Sequence, residues 1–387
     1  MKYPILLIEA LDYEKYPTGG TLSFVKSLMQ INEYELSLVG LTTNPNDLVG
    51  KWIKKNINGI NYDFFPLWYL KDTTKTPKIP LRLLLFLNIY RFRNKIREKN
   101  IPNILTQSHE AAIAIHKWKG NKCFYFPGLE NPLKIAKYSY AKYFSSIFEN
   151  LLFRSLTKFN LIIAAGDKDS IRNKIKLAEK SGYQLDIRPF PTRIDTSIFR
   201  PLNQKSVRQE LKFNKEEIII VTTGRLAWFK GWKLMIDAFK LYLESKPNSK
   251  FIFVGDGEDE RKIINYIKEL ELDGKVILVG RQTPLEVSKY LSASDLFVMG
   301  SYKEGWSTSL LEAISCNKKC CVTPFSSAND LIYSGVNGFV INDWAADVLA
   351  NAMTKSLELI QPNNDISKYS LSNLNIDLNE MWLNKMH

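Results

Sequence analysis

Residues 304–312 read Glu304-Gly305-Trp306-Ser307-Thr308-Ser309-Leu310-Leu311-Glu312. The apolar run Asp295–Met299 precedes them, and helical periodicity over Thr308–Ser315 begins within them. The segment reads as the carboxyl end of a strand, a hydroxyl-rich turn and the start of a helix. Two carboxylates eight positions apart bracket the turn. Free N–H groups at a helix start suit an anionic phosphate. Carboxylates only accept hydrogen bonds, so sugar or ribose hydroxyls are natural partners for Glu304 and Glu312. The plainer alternative is that Ser307 or Thr308 caps the helix and Glu312 is solvated.

A second stretch of the same kind is Thr223-Gly224-Arg225-Leu226-Ala227-Trp228-Phe229-Lys230-Gly231. It follows an apolar strand pattern and precedes a helical one. Arg225 and Lys230 share one strand-to-helix loop, where a planar fork and a point charge together can clamp a diphosphate. Two surface cations near a turn are the plain alternative. Position at the carboxyl end of a strand favours ligand binding.

Working outward, short β-rich runs alternate with helical periodicity along the whole chain, the pattern of parallel sheets with crossover helices. In the first half strands are expected at Ile5–Glu9, Tyr34–Leu41, Asn103–Thr106, Lys122–Phe126 and Leu161–Ala165. Helices are expected at Gly20–Gln30, Leu81–Lys99, Tyr138–Leu156 and Lys168–Ser181. In the second half strands are expected at Glu217–Thr222, Lys250–Val254, Lys275–Val279, Asp295–Met299 and Lys319–Thr323. The intervening helices are Gly231–Leu243, Asp259–Glu271, Pro284–Leu291 and Thr308–Ser315, followed by Asp343–Ile360 and Asn375–Met386. Pro189, Pro191 and Pro201 punctuate the boundary. The fold class is α/β, with two Rossmann-like doubly wound domains. Their expected extents are 1–192 and 193–365, with a helical tail at 366–387 packing back on the first.

The 387 residues carry 53 Lys and Arg against 40 Asp and Glu. Residues 1–200 hold a net +14, and residues 201–387 a net −1. A half so basic points to an anionic partner. Four cysteines without a C-x-x-C pair and three histidines argue against a zinc ribbon or disulfide scaffold. Glu9 and Asp12 interrupt the apolar start, so no export signal is expected. No apolar run reaches the ~20 residues that span a bilayer. A cytoplasmic protein, peripheral on the inner membrane face, is the expectation.

The order G-R-x-x-x-x-K-G (Gly224–Gly231), V-G-x-G (Val254–Gly257) and E-x7-E (Glu304–Glu312) resembles the second domain of retaining GT-B glycosyltransferases, family 4 in particular. The resemblance covers nearly all of residues 217–360. It implies two domains facing a cleft, the first binding acceptor and the second binding nucleotide-sugar. It implies that Arg225 and Lys230 neutralise the diphosphate and that Glu304 holds donor-sugar hydroxyls. It implies that the backbone of Trp306, Ser307, Thr308, Ser309 and Leu310 grips sugar and phosphate, and that Glu312 binds the ribose. Gly224 belongs to the same loop, and Gly280 and Arg281 resemble the edge that meets the base. Gly19 and Gly20 resemble the family's glycine loop, where backbone comes close to the diphosphate. His109, in Gln107-Ser108-His109-Glu110, resembles the histidine that faces the transferred sugar; a structural or solvated histidine is the alternative. Three departures stand out. The linker reads Thr192-Arg193-Ile194-Asp195 instead of Asn-Gly-x-Asp, Ser307 replaces a common Gly, and Asn317 replaces the Gly that ends the helix. Asn tolerates the left-handed region.

The resemblance implies hexosyl transfer with retention of configuration and no metal cofactor. Asp167-Lys168-Asp169 matches a metal-binding D-x-D pattern, but it sits where a helix begins and Asp is a good cap. The acceptor expected is a glycan or lipid-linked glycan of capsule, O-antigen or glycolipid biosynthesis. Lys71–Lys99 carries a net +7 around Leu81–Leu87, and Lys134–Lys158 mixes cations with aromatics. Such segments suit an anionic membrane surface, although a core helix with solvated cations has the same composition. Nucleic acid is not the expected partner, since it leaves the paired carboxylates unexplained. A sugar-nucleotide epimerase, a phosphorylase or a silent sugar-nucleotide-binding subunit would keep the phosphate clamp.

Overall fold

The computed structural model describes residues 2–14, 20–71, 80–131, 133 and 143–383. The chain divides into two compact units, Met1–Pro191 with Leu374–His387, and Thr192–Asn373.

Unit 1 is built on β1 (Tyr3–Ile8), β2 (Tyr34–Thr42), β3 (Ile53–Ile57), β4 (Ile60–Tyr69), β5 (Asn103–Thr106), β6 (Asn121–Phe126), β7 (Leu161–Ala164) and β8 (Ile187–Pro189). They lie in the order β3-β4-β2-β1-β5-β6-β7-β8. All pairings are parallel except β3 with β4. The central strands are continuous apolar runs because helices cover both faces. Leu6, Ile8, Leu85 and Ile89 fill one core, and Phe124, Phe126, Leu152 and Phe153 another. The β3–β4 hairpin is an addition to the expected strands. Its turn residues Asn58 and Gly59 have φ of 52° and 84°, as a type I′ turn requires.

The Leu81–Arg97 and Ser145–Leu156 helices both pack against the short His109–Ile115 helix. Of the helix expected over Tyr138–Leu156, residues 138–142 lie outside the described residues. The Asp167 carboxylate accepts from the N–H groups of Asp169 and Ser170 and so caps the Lys168–Lys180 helix.

Unit 2 holds β9 (Ile218–Thr223), β10 (Ser249–Val254), β11 (Val276–Leu278), β12 (Leu296–Met299), β13 (Lys319–Val322) and β14 (Gly338–Val340). All are parallel, in the order β11-β10-β9-β12-β13-β14. The chain steps outward from β9 in one direction, then resumes at β12 on its other side. Between β9 and β12 lies the switch point at which open α/β sheets bind ligands. The Trp232–Ser245 and Ala346–Glu358 helices cover one face over Phe239, Phe251 and Phe253. The Pro284–Ala293 and Thr308–Ser315 helices cover the other over Leu291, Phe297 and Leu310. Asn317, just past the second of these, takes φ 54°.

Residues 366–373 stay with unit 2. Ile194 N–H donates to the Tyr369 carbonyl at 3.0 Å, and Leu371 N–H to the Ile194 carbonyl at 2.8 Å. The chain enters unit 1 from Leu374 onward. There Asn375 and Asn379 donate to the Glu33 carboxylate, and Leu374, Leu378 and Trp382 are buried.

Candidate donor site at the switch point

The loops after β9 and β12 carry the two motifs. After β9 a short 3-10 turn, Trp228–Lys230, ends on Gly231 at φ 68°. A Cβ at Gly231 would stand 1.8 Å from the Gly300 carbonyl oxygen, just past β12. Only glycine lets these two backbones meet. Their approach delivers Lys230 to the end of β12, where its ammonium donates to Glu304 Oε1. Ser301 Oγ donates to the same oxygen at 2.9 Å, and Tyr302 N–H donates to the Phe229 carbonyl at 2.9 Å. Lys230 and Glu304 are both largely withdrawn from solvent.

Arg225 donates through Nε to Glu258 Oε2 at 2.8 Å. Both side chains are well exposed, so this pair holds weakly and yields readily to a ligand. Glu258 comes from the loop after β10. That loop is stitched to Arg225's own, for Leu226 N–H donates to the Asp256 carbonyl and Asp259 N–H to the Leu226 carbonyl. The Gly255 N–H in turn donates to the Gly280 carbonyl beyond β11, beside the exposed Arg281.

Ser307 is the N-cap of the Thr308–Ser315 helix. Its Oγ accepts from Leu310 N–H at 3.2 Å, and its own N–H donates to Ser327 Oγ at 3.0 Å. The amides of Ser307 and Leu310 are thus engaged within the protein. Among the described residues, none accepts from the N–H groups of Thr308 and Ser309. Ser309 faces the β9 loop, since a Cβ on Gly224 would lie 3.5 Å from its hydroxyl. Two open helix-start amides therefore stand with Arg225 and Lys230 at one switch point, an arrangement that can neutralise a diphosphate. The Thr223 hydroxyl, at the end of β9, and the Trp306 indole N–H are buried and have no partner among the described residues. Glu312 is partly buried, and among the described residues no donor meets its carboxyl group; burial pushes its pKa up to about 8. Sequence reasoning passed over Ser301, which holds Glu304 in place, and Glu258, which pairs loosely with Arg225. Neither belongs to a spaced pattern.

His109 and Gly20 are carried by unit 1, and Gly19 lies outside the described residues. Gly20 opens the Gly20–Met29 helix. His109 opens the helix after β5, and its ring packs among Phe124, Phe126 and Phe148. Among the described residues neither ring nitrogen has a partner. Burial, then the charges of Arg82 and Lys174, lowers its pKa well below the usual value, so the imidazole is neutral. Glu9, fully buried at the end of β1, accepts from Gln107 N–H and from Ser108 Oγ, fixing the turn that precedes His109. Burial pushes Glu9 up to about 8 despite these bonds. Glu110 is buried too, with Oε2 unpartnered, and burial raises its pKa. The signal for Glu9 was visible: a lone carboxyl closing an apolar strand.

Two α/β domains built on mainly parallel sheets, one with a phosphate-suited switch point, give the GT-B fold, which the chain shares with solved glycosyltransferases. Residues 203–372, nearly all of unit 2, match the family described as glycosyl transferases group 1. The chain is 26% identical over 285 residues to an uncharacterized glycosyltransferase of Methanocaldococcus jannaschii, covering 69% of this chain and 64% of that one. It is 28% identical over 176 residues to the Escherichia coli UDP-Gal:alpha-D-GlcNAc-diphosphoundecaprenol alpha-1,3-galactosyltransferase, covering 44% of this chain and 45% of that one. Less than two thirds of either relative's length is matched. Anabaena HepE, solved in complex with UDP and glucose, shares the fold with a TM-score of 0.70 at 16% identity, over 99% of this chain and all of that one.

Proposed function

We propose that this chain is a retaining, metal-independent glycosyltransferase that moves a hexosyl group from a nucleoside-diphosphate sugar to a lipid-linked glycan in surface polysaccharide or glycolipid biosynthesis, at the inner face of a membrane. The observation that carries this reading is the Lys230–Glu304 pair at the ends of β9 and β12, beside Arg225 and the open amides of Thr308 and Ser309. Breaking the bond between anomeric carbon and diphosphate puts negative charge on the leaving oxygen. Lys230, Arg225 and those amides would stabilise it from fixed positions. Glu304 would accept hydrogen bonds from the sugar, and Glu312, when protonated, would donate one to a ribose oxygen. The donor class agrees with the UDP and glucose held by HepE, and the acceptor class with the diphosphoundecaprenol-linked acceptor in the name of the E. coli relative.

The test is nucleoside diphosphate release from a panel of UDP-, GDP- and ADP-sugars, with EDTA present and with or without a membrane lipid extract. Release is expected with one donor, unaffected by EDTA and stimulated by the extract. Lys230→Ala and Glu304→Ala should each lower it by about 10²–10³-fold. Full activity in either variant, or dependence on a divalent ion, overturns the reading.

A further inference from the structure

Unit 1 presents two apolar stripes on helices that flank the His109–Ile115 helix. In Leu81–Arg97 the inward face is Leu84, Leu85, Ile89 and Ile96. Leu83 and Leu87 face outward, 46% and 50% exposed, and Arg91 continues their row one turn on. In Ser145–Leu156 the inward face includes Leu152, Phe153 and Leu156. Ile147 and Leu151 face outward, 62% and 45% exposed, and Arg154 and Lys158 prolong that row. Phe144, 58% exposed, stands just ahead of the helix. Along both rows the order is the same: large apolar groups come first and exposed cations follow, while Arg82 adds an exposed cation beside the first row.

Both helices lead into parallel strands, β5 and β7, so they run against the strands. Their first turns therefore lie at the carboxyl edge of the sheet, the edge that carries Glu9, His109 and Glu110. Singly exposed leucines need no explanation, but five large apolar side chains on two helices about one short helix do. An apolar protein partner has no use for the cations on the same rows. A nucleic acid has no use for the leucines. A bilayer with anionic headgroups uses both.

We propose that these two helices seat unit 1 on an anionic lipid surface. Leu83, Leu87, Phe144, Ile147 and Leu151 enter the boundary between headgroups and acyl chains, and Arg91, Arg154 and Lys158 meet the lipid phosphates. The seat turns the His109 edge of unit 1 toward the layer in which a lipid-linked glycan is held. Its use in catalysis rests on the function proposed above, whereas the docking itself does not.

The full chain would be sedimented with vesicles of phosphatidylcholine alone, or with about one third phosphatidylglycerol, at low and high salt. Binding is expected to the anionic vesicles, weaker on neutral ones and weakened by salt. The pairs Leu83→Glu/Leu87→Glu and Ile147→Glu/Leu151→Glu should each reduce it at least about tenfold while leaving donor hydrolysis in lipid-free buffer unchanged. Absence of wild-type binding, or undiminished binding by both double variants, overturns the docking. So does a concentration-dependent dimer that the same variants dissociate, because a second copy then covers the face. Vesicle binding without any donor hydrolysis would leave the docking standing and remove the glycosyltransferase reading.

Discussion

Glu9 and Glu312 are carboxyl groups whose surroundings favour the protonated form. Each is pushed from an ordinary 4.5 up to about 8 by burial. A folded-state pKa above the unfolded value means that the folded chain binds protons more tightly than the unfolded one. The associated stability is therefore complete below about pH 4.5 and is lost progressively as the pH rises toward about 8. Glu9→Gln and Glu312→Gln, which hold the neutral shape at every pH, should flatten this decline. Thermal melting is expected to be near wild type at pH 4.5 and higher than wild type at pH 8. Equal melting at both pH values would show that the two groups titrate normally. At this scale the sequence is legible where chemistry is local. Asn317 could be read as a residue that tolerates the left-handed region, and it takes φ 54°. The aromatic wall around His109 was not legible, because Phe124, Phe126 and Phe148 reach it only through the pairing of β5 with β6 and the packing of a later helix.

Among elements, most strands that declared themselves were apolar runs buried on both faces, although the edge strand β11 was expected and the interior strand β4, which opens on Asn61 and Asp63, was not. β3, with Lys54, Lys55 and Asn56, and the three-residue β8 and β14 are edge elements of their sheets. Their residues answer to a single neighbour and carry little periodicity, though the Asn58-Gly59 pair was a readable hairpin signal. The junction of the Trp228–Lys230 turn with the following helix depends on one residue. Gly231→Ala must both hold a positive φ and push a methyl into the Gly300 carbonyl. The loss should be about 2 kcal/mol or more, seen as a lower urea midpoint, and donor binding should fall with it because Lys230 leaves its place. A variant with an unchanged midpoint would mean that the loop accommodates the methyl.

At the scale of the whole molecule, two units with separate cores share one chain that visits unit 1 twice. The second visit rests on Leu374, Leu378 and Trp382, all buried, and on the Glu33 carboxylate, which receives Asn375 and Asn379. Trp382→Ala should destabilise unit 1 by about 3–5 kcal/mol. Hydrogen exchange is the suitable measurement, with faster exchange expected in β1 and β2 and unchanged protection in β9 and β12. Uniform acceleration in both units would mean that they unfold together. Composition located the excess charge in the first half of the chain, but only the folded helices separate Leu84 and Leu85, which face the core, from Leu83 and Leu87, which do not.

The contact between Lys230 and Glu304 has one more consequence. Free phosphate arriving there would take the ammonium and leave the carboxylate, held among the described residues by Ser301 alone, beside a second negative group. A nucleoside diphosphate without its sugar does the same. Only a molecule that brings anionic oxygens to Lys230 and, beside them, a sugar hydroxyl to Glu304 replaces both halves of the pair at once. The resting pair is thus its own competitor, and whatever displaces it must offer acceptors to the ammonium and a donor to the carboxylate. Intact donor would then be told from spent product by what each leaves behind on Glu304.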